Sequence, residues 1–502
     1  MVRRGEDHEE EQHFTEQNVA VQRRAEHGFE RREGDGDQQE KERDGERARE
    51  IKRETETAHS LSHEQARIGA AKIDEAEDPV VRISAEAIER RVVHAELITN
   101  DGGNSALLQS GAVGGESGWH SRKVAPIFRA PMSIWNSAHP WLHDLVSYEP
   151  GKPIEDVARE LGLKPNEIIK LASNENPLGP SPKALAAMRE TLERAHFYPD
   201  GGGYYLREAI AKKFGFERSN VILGCGSNEI IEFIGKAFLN PGDEIVTARH
   251  AFVVYKLMAT LFGAETIEVP DPGFAHDLDA MAAAITPKTR EVFIANPNNP
   301  TGTLLSQDEI DRFMEKVPPH VIVVFDEAYF EFNENPPDTL KFVREGRNVV
   351  VLRTFSKIQG LANLRIGYGL AKPELVDVLQ KTRQPFNTNG IAQAGALAGL
   401  ADEEHQRKTR DITIAGREFL QREFAVLGLE FVPSFANFVL VKVGSGTAVF
   451  KALMKLGIIV RDMTSYALPE WIRVSIGTAE QNERFLAELK RLPEIAALPS
   501  PV

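Results

Sequence analysis

Two runs of apolar, mostly β-branched residues constrain the fold more than any other feature of this sequence. They are VIVVF at residues 321–325 and VVVL at residues 349–352. Runs of this kind are typical of strands that are buried on both faces of a parallel sheet. Helical patterns surround them, at residues 181–196, 206–214, 227–239 and 306–316. Because strands alternate with helices, the sequence predicts an α/β fold around a mainly parallel sheet.

The C-terminal part of the chain repeats this alternation on a smaller scale. The predicted elements there are helices at residues 417–427, 447–456 and 479–490, and strands at residues 437–443, 458–462 and 471–476. We therefore expect two domains in the globular part of the chain. The large domain would span residues 175–395, and a smaller α/β domain would combine residues 132–174 with residues 396–502.

The first 131 residues differ from the rest. Residues 1–60 contain 12 Lys/Arg and 18 Asp/Glu, and their aromatic residues are Phe14 and Phe29. Such a segment cannot bury enough apolar surface to offset the entropy of ordering it, so we expect residues 1–131 to be disordered. Two explanations are open: a flexible tail, or upstream sequence translated from a wrongly chosen start. We favour the second, with Met132 as the true start, because the leader carries no motif with a mechanism.

Composition excludes several classes of protein. With 60 Lys/Arg against 75 Asp/Glu, the formal net charge is −15, so no net positive field attracts nucleic acid or an anionic membrane. Cys225 is the single cysteine, which excludes a disulfide framework and a multi-cysteine metal site, and we expect no metal. Neither a run of 18 apolar residues nor an N-terminal signal core is present, so we expect a cytoplasmic protein.

Four loops that follow predicted strands carry the residues best suited to chemistry. They are GCGSNE at 224–229, NPNNPTG at 296–302, DEAY at 326–329 and RTFSK at 353–357, the last followed by Arg365. Ligands bind at the carboxyl ends of the strands of an open parallel sheet. We therefore expect the four loops to converge on one site.

Taken singly, each loop also has a purely structural explanation. The glycines and Ser227 could form a turn with a helix cap, or their N–H groups could hold a phosphate. The prolines around Asn299 could simply stiffen a turn. Asp326, at the end of a buried strand, could be neutralised by a structural salt bridge. Lys357 could be a surface charge or a desolvated amine that forms a Schiff base.

Taken together, the motifs resemble the pyridoxal-phosphate site of the fold-type I aminotransferases. The matching features are asparagine before P-T-G, then D-x-A-Y, then S-K with an arginine eight residues after the lysine. The resemblance covers essentially all of residues 132–502. It implies a fold-type I α/β enzyme that binds pyridoxal 5′-phosphate (PLP) in its large domain and acts on small molecules, not on nucleic acid or membranes.

The resemblance implies catalytic roles for Lys357, Asp326 and Tyr329, and a cofactor contact for Asn299. Lys357 would form the Schiff base and, once freed by substrate, would move the proton at the substrate's Cα. Asp326 would keep the pyridinium nitrogen protonated, so that the ring draws in electrons. Tyr329 and Asn299 would hydrogen-bond the phenolic oxygen of the cofactor.

The resemblance also implies how the rest of the cofactor is held. Phe252 would stack on the pyridine ring, although plain core packing explains this residue equally well. Tyr198 would reach the phosphate from the neighbouring subunit, which implies a homodimer with shared active sites. The phosphate would be bound by Gly226, Ser227, Asn228, Ser356 and Arg365, with help from Thr354.

Further segments narrow the resemblance to the histidinol-phosphate aminotransferases. These segments are YEPGKP (148–153), IKLASNENPLGPSP (169–182), YPDGGGYYLR (198–207), RQPFN (383–387), ANFVLV (436–441), and IIVRD followed by IRVSIGT. They imply amino transfer between L-histidinol phosphate and 2-oxoglutarate in histidine biosynthesis, with substrate contacts from Tyr148, Asn176, Arg461 and Arg473. Guanidinium groups suit both phosphate and carboxylate oxygens. A surface salt bridge with Asp462 is the alternative explanation for Arg461.

Departures from the family pattern keep other functions open. Cys225 and Asn228 stand where many relatives have Asn and Asp, and Ile358-Gln359 follows the lysine where Ala-Phe is commoner. Aromatic-amino-acid aminotransferases and a threonine-phosphate decarboxylase are close relatives, so their substrates are alternatives. A distant alternative is a PLP-binding transcriptional regulator, which would need a basic DNA-binding domain. Residues 1–131 hold 20 basic and 28 acidic residues, which disfavours it.

Overall fold

The computed structural model describes residues 134–143, 145–146 and 151–496. Two expectations lie outside these residues: the disorder of residues 1–131 and the substrate contact of Tyr148. Among the described residues, no helix is both long and apolar enough to cross a membrane.

The strands of the described region form three sheets. Their bounds are β1 (Ile169–Lys170), β2 (Val221–Gly224), β3 (Glu244–Ala248), β4 (Glu265–Val269), β5 (Thr289–Ala295), β6 (Ile322–Asp326), β7 (Val349–Thr354), β8 (Gly367–Ala371), β9 (Phe431–Val432), β10 (Phe438–Lys442), β11 (Ile458–Ile459), β12 (Arg461–Asp462) and β13 (Trp471–Ser475). The largest sheet has seven strands, in the order β2-β8-β7-β6-β5-β3-β4.

The seven-stranded sheet is mainly parallel, as the sequence predicts. Strands β3, β4, β5, β6 and β7 run in one direction, and β8 is antiparallel to both of its neighbours, β7 and β2. All residues of β6 and β7 are buried. The VVVL run lies wholly in β7, and the VIVVF run lies in β6 except for Val321, which precedes the strand and is also buried. Because β8 is antiparallel to both β2 and β7, these two strands run in the same direction. The strand β2 therefore ends at the same edge of the sheet as β5, β6 and β7.

Helices cover both faces of this sheet and surround the smaller ones. The α-helices are α1 (Ile154–Leu161), α2 (Pro182–Leu192), α3 (Tyr204–Phe214), α4 (Ser227–Phe238), α5 (Val254–Leu261), α6 (Leu278–Ala283), α7 (Gln307–Lys316), α8 (Leu340–Arg344), α9 (Pro373–Thr382), α10 (Gly390–Ala401), α11 (Glu403–Val426), α12 (Gly446–Lys455), α13 (Ala479–Arg491) and α14 (Pro493–Ala496). Short 3₁₀ turns lie at Ile134–Ser137, Pro140–His143, Pro165–Glu167, Arg218–Asn220, Pro272–Phe274, Phe330–Phe332, Ala362–Leu364 and Thr464–Tyr466.

The core of the large sheet is divided by the alternation of side chains along each strand. Phe325 and Val351 belong to one apolar cluster, together with residues of α2, α3, α7, α8 and α10. Val324 and Val350 belong to another, with residues of α4, α5 and α9. Successive residues of a strand point to opposite faces, so a run that is apolar throughout serves both clusters.

The remaining strands form two smaller sheets. An antiparallel sheet has the order β12-β13-β10-β9, and β1 pairs in parallel with β11. A third apolar cluster lies between these strands and the helices α11, α12 and α13. The seven-stranded sheet falls within residues 175–395 and the other strands fall outside them, but the domain boundaries themselves stay a prediction.

Three predicted elements differ from those observed. Helix α2 ends at Leu192 rather than at residue 196, since residues 192–198 are exposed and form short turns. The helix predicted at 417–427 is the end of the 24-residue α11, whose first half buries polar Gln406 and Thr409 and so shows no apolar period. The strand predicted at 458–462 is split, because β11 pairs with β1 and β12 pairs with β13.

Candidate active site

The four loops predicted to converge do meet, around a cavity of about 250 Å³ at the carboxyl edge of the large sheet. Its lining includes twelve of the residues expected at the site. They are Ser227, Asn228, Phe252, Asn299, Asp326, Tyr329, Thr354, Ser356, Lys357, Arg365, Arg461 and Arg473. The topology accounts for this result, since β2, β5, β6 and β7 all end at this edge.

Lys357 lies in the loop after β7 and its ammonium group points into the cavity. Its Nζ donates to the carbonyl oxygen of Ser173 at 3.3 Å and lies 5.4 Å from the centre of the Tyr329 ring. Burial, reinforced by the nearby positive charge of Arg473, lowers the pKa of Lys357 to about 8. A lysine with this pKa has a much larger neutral fraction near pH 7 than a surface lysine, so it can act as a nucleophile or a base.

Asp326 is the last residue of β6 and is 5 % exposed. Its Oδ2 accepts a hydrogen bond from the Tyr255 hydroxyl at 2.8 Å, and its Oδ1 accepts one from the Ala328 amide at 3.3 Å. Burial raises the pKa of Asp326 to about 6, and the hydrogen bond from Tyr255 opposes that rise. The salt bridge considered for this acid is made instead by its neighbour, Glu327, whose Oε2 lies 2.8 Å from Nη2 of buried Arg353.

A group of polar side chains at one end of the cavity, here called the anion cradle, comprises Ser227, Asn228, Ser356 and Arg365. Ser227 and Asn228 begin α4, where free N–H groups favour an anion. Nη1 of Arg365 lies 3.4 Å from the Ser356 hydroxyl, which also accepts from Thr354 at 3.0 Å. Gly226 does not line the cavity, but it makes room for the cradle, since a Cβ there would lie 2.4 Å from Nη2 of Arg365.

Three hydrogen bonds connect residues of the cavity with Arg473 of β13 and with the segment of residues 172–174. The side-chain Oδ1 of Asn299 accepts from Nη1 of Arg473, and Nη2 of Arg473 donates to the backbone carbonyl oxygen of Ala172 at 3.0 Å. The Tyr329 hydroxyl accepts from Nδ2 of Asn174 at 3.0 Å, and burial raises the pKa of Tyr329. Asn299 and Tyr329 therefore both lie where a ligand atom near Lys357 could reach them.

Arg461 and Arg473 face each other across the strand pair β12–β13, where they are directly opposite in register. Both line the cavity. Like charges at opposed positions of a sheet destabilise it, so this pair is suited to a position where an anion binds. Asp462 accepts hydrogen bonds from Thr447 and Thr464, and these bonds and the charge of Arg461 together outweigh burial and lower the pKa of Asp462. The salt bridge considered for Arg461 therefore stays an alternative explanation.

The charges around the cavity favour anionic ligands. In the part of the chain that the structure describes, four cationic side chains line it, against the two carboxylates of Glu175 and Asp326. Among the described residues, no group of three or more His, Cys, Asp or Glu side chains could hold a metal ion. The cavity therefore combines a low-pKa lysine, a buried carboxylate and cationic groups at more than one end.

Two expected site residues lie away from the cavity. Asn176 does not line it, because its Nδ2 donates to the Ile358 carbonyl oxygen at 2.8 Å and to the Thr409 hydroxyl at 3.2 Å. That side chain therefore supports the loop that carries Lys357. Tyr198 is 83 % exposed, stacks on Phe386 at 4.8 Å between ring centres, and is not among the residues that line this cavity.

Among the lining residues that the sequence analysis missed, Tyr255 and Asn174 have side chains that donate hydrogen bonds to predicted site residues. Tyr255 follows Phe252 by three residues at the start of α5, and helical spacing was a signal that could have paired the two. Asn174 stands two residues before Asn176 in the same segment, and no feature of that segment indicates which asparagine faces the cavity. The structure also gives a local reason for Gln359, which stands where phenylalanine is commoner in the family. Its Nε2 donates a hydrogen bond to Oε1 of Glu331 at 3.0 Å.

Comparison with known proteins defines the class. The sequence pattern of the family "Aminotransferase class I and II" matches residues 166–489, and this chain belongs to that family. The family and the fold expected from the motifs are thereby confirmed.

Several relatives carry the same name. A histidinol-phosphate aminotransferase of Akkermansia muciniphila is 55 % identical over 362 residues, which cover 72 % of this chain and 100 % of that protein. One from Moorella thermoacetica is 50 % identical and covers 69 % of this chain and 90 % of its own length. The crystal structure of histidinol-phosphate aminotransferase from Sinorhizobium meliloti, in complex with pyridoxal-5′-phosphate, superposes with a TM-score of 0.66 at 28 % identity, covering 72 % of this chain and 98 % of that one.

Proposed function

We propose that this protein is a PLP-dependent histidinol-phosphate aminotransferase of histidine biosynthesis. It moves an amino group from L-glutamate to imidazole-acetol phosphate, which yields 2-oxoglutarate and L-histidinol phosphate, and it catalyses the reverse reaction as well. The observation that carries the proposal is the opposed arginine pair, Arg461 and Arg473, in the lining of the same cavity as Lys357. The names of the relatives support the same assignment.

The residues around the cavity fit PLP at each of its polar groups. The anion cradle provides a helix start and a guanidinium for the phosphate, and Gly226 leaves the space that Arg365 occupies. Asp326 provides a buried carboxylate for a protonated ring nitrogen, and Tyr329 and Asn299 provide hydrogen-bonding groups for the phenolic oxygen. Phe252 lines the cavity with an aromatic ring that can stack on another ring.

The chemistry requires a proton to leave the substrate carbon that bears the amino group and a proton to return nearby. When bound, PLP draws electrons away from that carbon and makes its proton acidic. Lys357 moves the proton, since its lowered pKa leaves enough neutral amine to accept it near neutral pH. Asp326 would keep positive charge on the ring nitrogen, and its buried position shields that carboxylate from competing water.

One cavity must bind two different anions in turn, a phosphate monoester and a dicarboxylate. Arg473 is held by Asn299 and the Ala172 carbonyl oxygen, so its position suits the carboxylate or phosphate nearest the reacting carbon. Arg461, on the neighbouring strand, suits the group at the far end of the substrate. A guanidinium fork matches both kinds of oxyanion, which explains how one pair of residues serves both half-reactions.

The proposal includes a homodimer in which Tyr198 of one subunit reaches the phosphate of the other, and a cytoplasmic location. The high exposure of Tyr198 in a single subunit supports the first point. Tyr148 completes the substrate contacts in the same proposal.

Single-turnover absorbance measurements test this function. The full-length protein would be loaded with PLP and mixed separately with L-histidinol phosphate and L-phenylalanine, while the absorbance of the lysine-bound cofactor is followed. We expect conversion at far lower concentrations of histidinol phosphate. A preference for phenylalanine would instead make the protein an aromatic-amino-acid aminotransferase, and conversion by neither substrate would refute both assignments.

A further inference from the structure

The hydroxyl of Tyr255 makes the shortest hydrogen bond that reaches Asp326. The two oxygens lie 2.8 Å apart, both side chains are buried, and both line the cavity. The other oxygen of Asp326 has a weaker contact, the Ala328 amide at 3.3 Å. Without Tyr255, a buried carboxylate would keep only that backbone contact and the more distant charge of Lys357 to stabilise its ionised form.

Packing holds the Tyr255 ring in place. It stacks on Phe293 of β5, with ring centres 4.6 Å apart and planes 11° apart. The edge of Phe252 meets it at 5.7 Å and 87°. Aromatic contacts of both kinds are favourable, so neither the ring nor its hydroxyl can turn away from Asp326 easily. Tyr255 therefore connects Phe252, which we expect to stack on the cofactor ring, with the carboxylate expected at its nitrogen.

We propose that Tyr255 is a positioning residue whose hydroxyl fixes the Asp326 carboxylate, in its ionised form, against the cofactor ring. The inference rests on the proposed function, because it assigns Asp326 to the ring nitrogen. The charged and titratable groups around the pair are Glu327 and Lys357 near Asp326, and Tyr329 and Tyr466 near Tyr255. Of these groups, Glu327 opposes the ionised form of Asp326 and is itself paired with Arg353.

The first test needs no bound cofactor and no turnover. The apoprotein would be labelled with ¹³C at its aspartate carboxyl groups, and the pKa of Asp326 would be measured by NMR, with Asp326→Asn to assign the signal. We expect Tyr255→Phe to raise this pKa by roughly one to two pH units, the effect of losing one hydrogen bond to a charged group. Tyr368→Phe is the matched control, since it removes another buried tyrosine hydroxyl that does not line the cavity.

The second test uses the PLP-loaded enzyme. We expect Tyr255→Phe to lower kcat by about 10- to 100-fold and to change KM by less than about threefold, because the substrate arginines are untouched. Adding Tyr255→Phe to Asp326→Asn should cause little further loss, since the hydroxyl acts through that carboxylate.

The two tests separate the inference from the function on which it rests. An unchanged pKa of Asp326 in Tyr255→Phe apoprotein, or equal changes in Tyr368→Phe, overturns the positioning role whatever the activity. If the wild-type enzyme transfers no amino group, the proposed function fails, and the NMR comparison still decides whether Tyr255 controls Asp326. The role would also be refuted if Tyr255→Phe raised the pKa of Asp326 but its loss of kcat simply multiplied with the loss caused by Asp326→Asn.

Discussion

Replacing Gly226 by alanine tests whether the anion cradle holds the phosphate of PLP. Gly226 has φ +75° and ψ 170°, a conformation that is nearly exclusive to glycine, so alanine there strains the backbone by about 1–3 kcal/mol. Its Cβ would also lie 2.4 Å from Nη2 of Arg365. A guanidinium at the end of a flexible side chain can move away, but it then leaves the cradle. Loss of one charge-assisted hydrogen bond weakens PLP binding by about 10- to 100-fold.

Gly215→Ala provides the matched control. Gly215 ends α3 with φ +73°, and a Cβ there would meet no atom within 4 Å. The control should therefore lose about 1 kcal/mol of stability and bind PLP as the wild type does. Urea unfolding of the apoproteins measures the first quantity, and absorbance titration with PLP measures the second. The cradle argument is wrong if Gly226→Ala binds PLP normally, or if both variants lose the same affinity.

Three further predictions concern charge. Lys357→Ala should abolish turnover without changing the temperature at which half of the protein is unfolded. In the wild type, the rate at which PLP attaches to Lys357 should rise with pH through about 8, as the amine loses its proton. Arg461→Ala should reduce kcat/KM for histidinol phosphate by at least about tenfold more than for phenylalanine, and equal losses would contradict the anion role. Burial raises the pKa of Glu291 to about 8. Between about pH 4.5 and 8, this carboxyl group is therefore ionised in the unfolded chain and protonated in the folded one. As a result, its contribution makes the free energy of unfolding fall as pH rises. Glu291→Gln should therefore stabilise the protein relative to wild type by up to roughly 3 kcal/mol near pH 8 and hardly at pH 4, measured by urea unfolding at both values.

Much of the site could be predicted because its residues follow strands that the sequence marks clearly. The runs at 321–325 and 349–352 are apolar throughout, since each strand serves an apolar cluster on both faces of the sheet. Once those strands are placed, the loops after them must share an edge, and this rule places Asp326 and Lys357 together.

The residues that were missed depend on packing that no local pattern records. Tyr255 lies in an apolar segment and is buried like a core residue, so only the position of Asp326, 71 residues away, reveals its polar role. In the segment that contains Asn174 and Asn176, the direction of each amide depends on contacts with Tyr329 and with α11. Helix α11 itself was half missed because it buries polar Gln406 and Thr409.

The strand order also determines when the protein can acquire its cofactor. Among the described strands, β2 pairs with β8 alone, and β8 follows it by more than 140 residues. On the ribosome, the segment that becomes the start of α4 therefore emerges long before the strand that anchors it to the sheet. Ser227 and Asn228 are therefore synthesised well before Ser356 and Arg365, the other two residues of the anion cradle. The nascent chain cannot bind the phosphate of PLP at the complete cradle until β7 and β8 have been synthesised and paired.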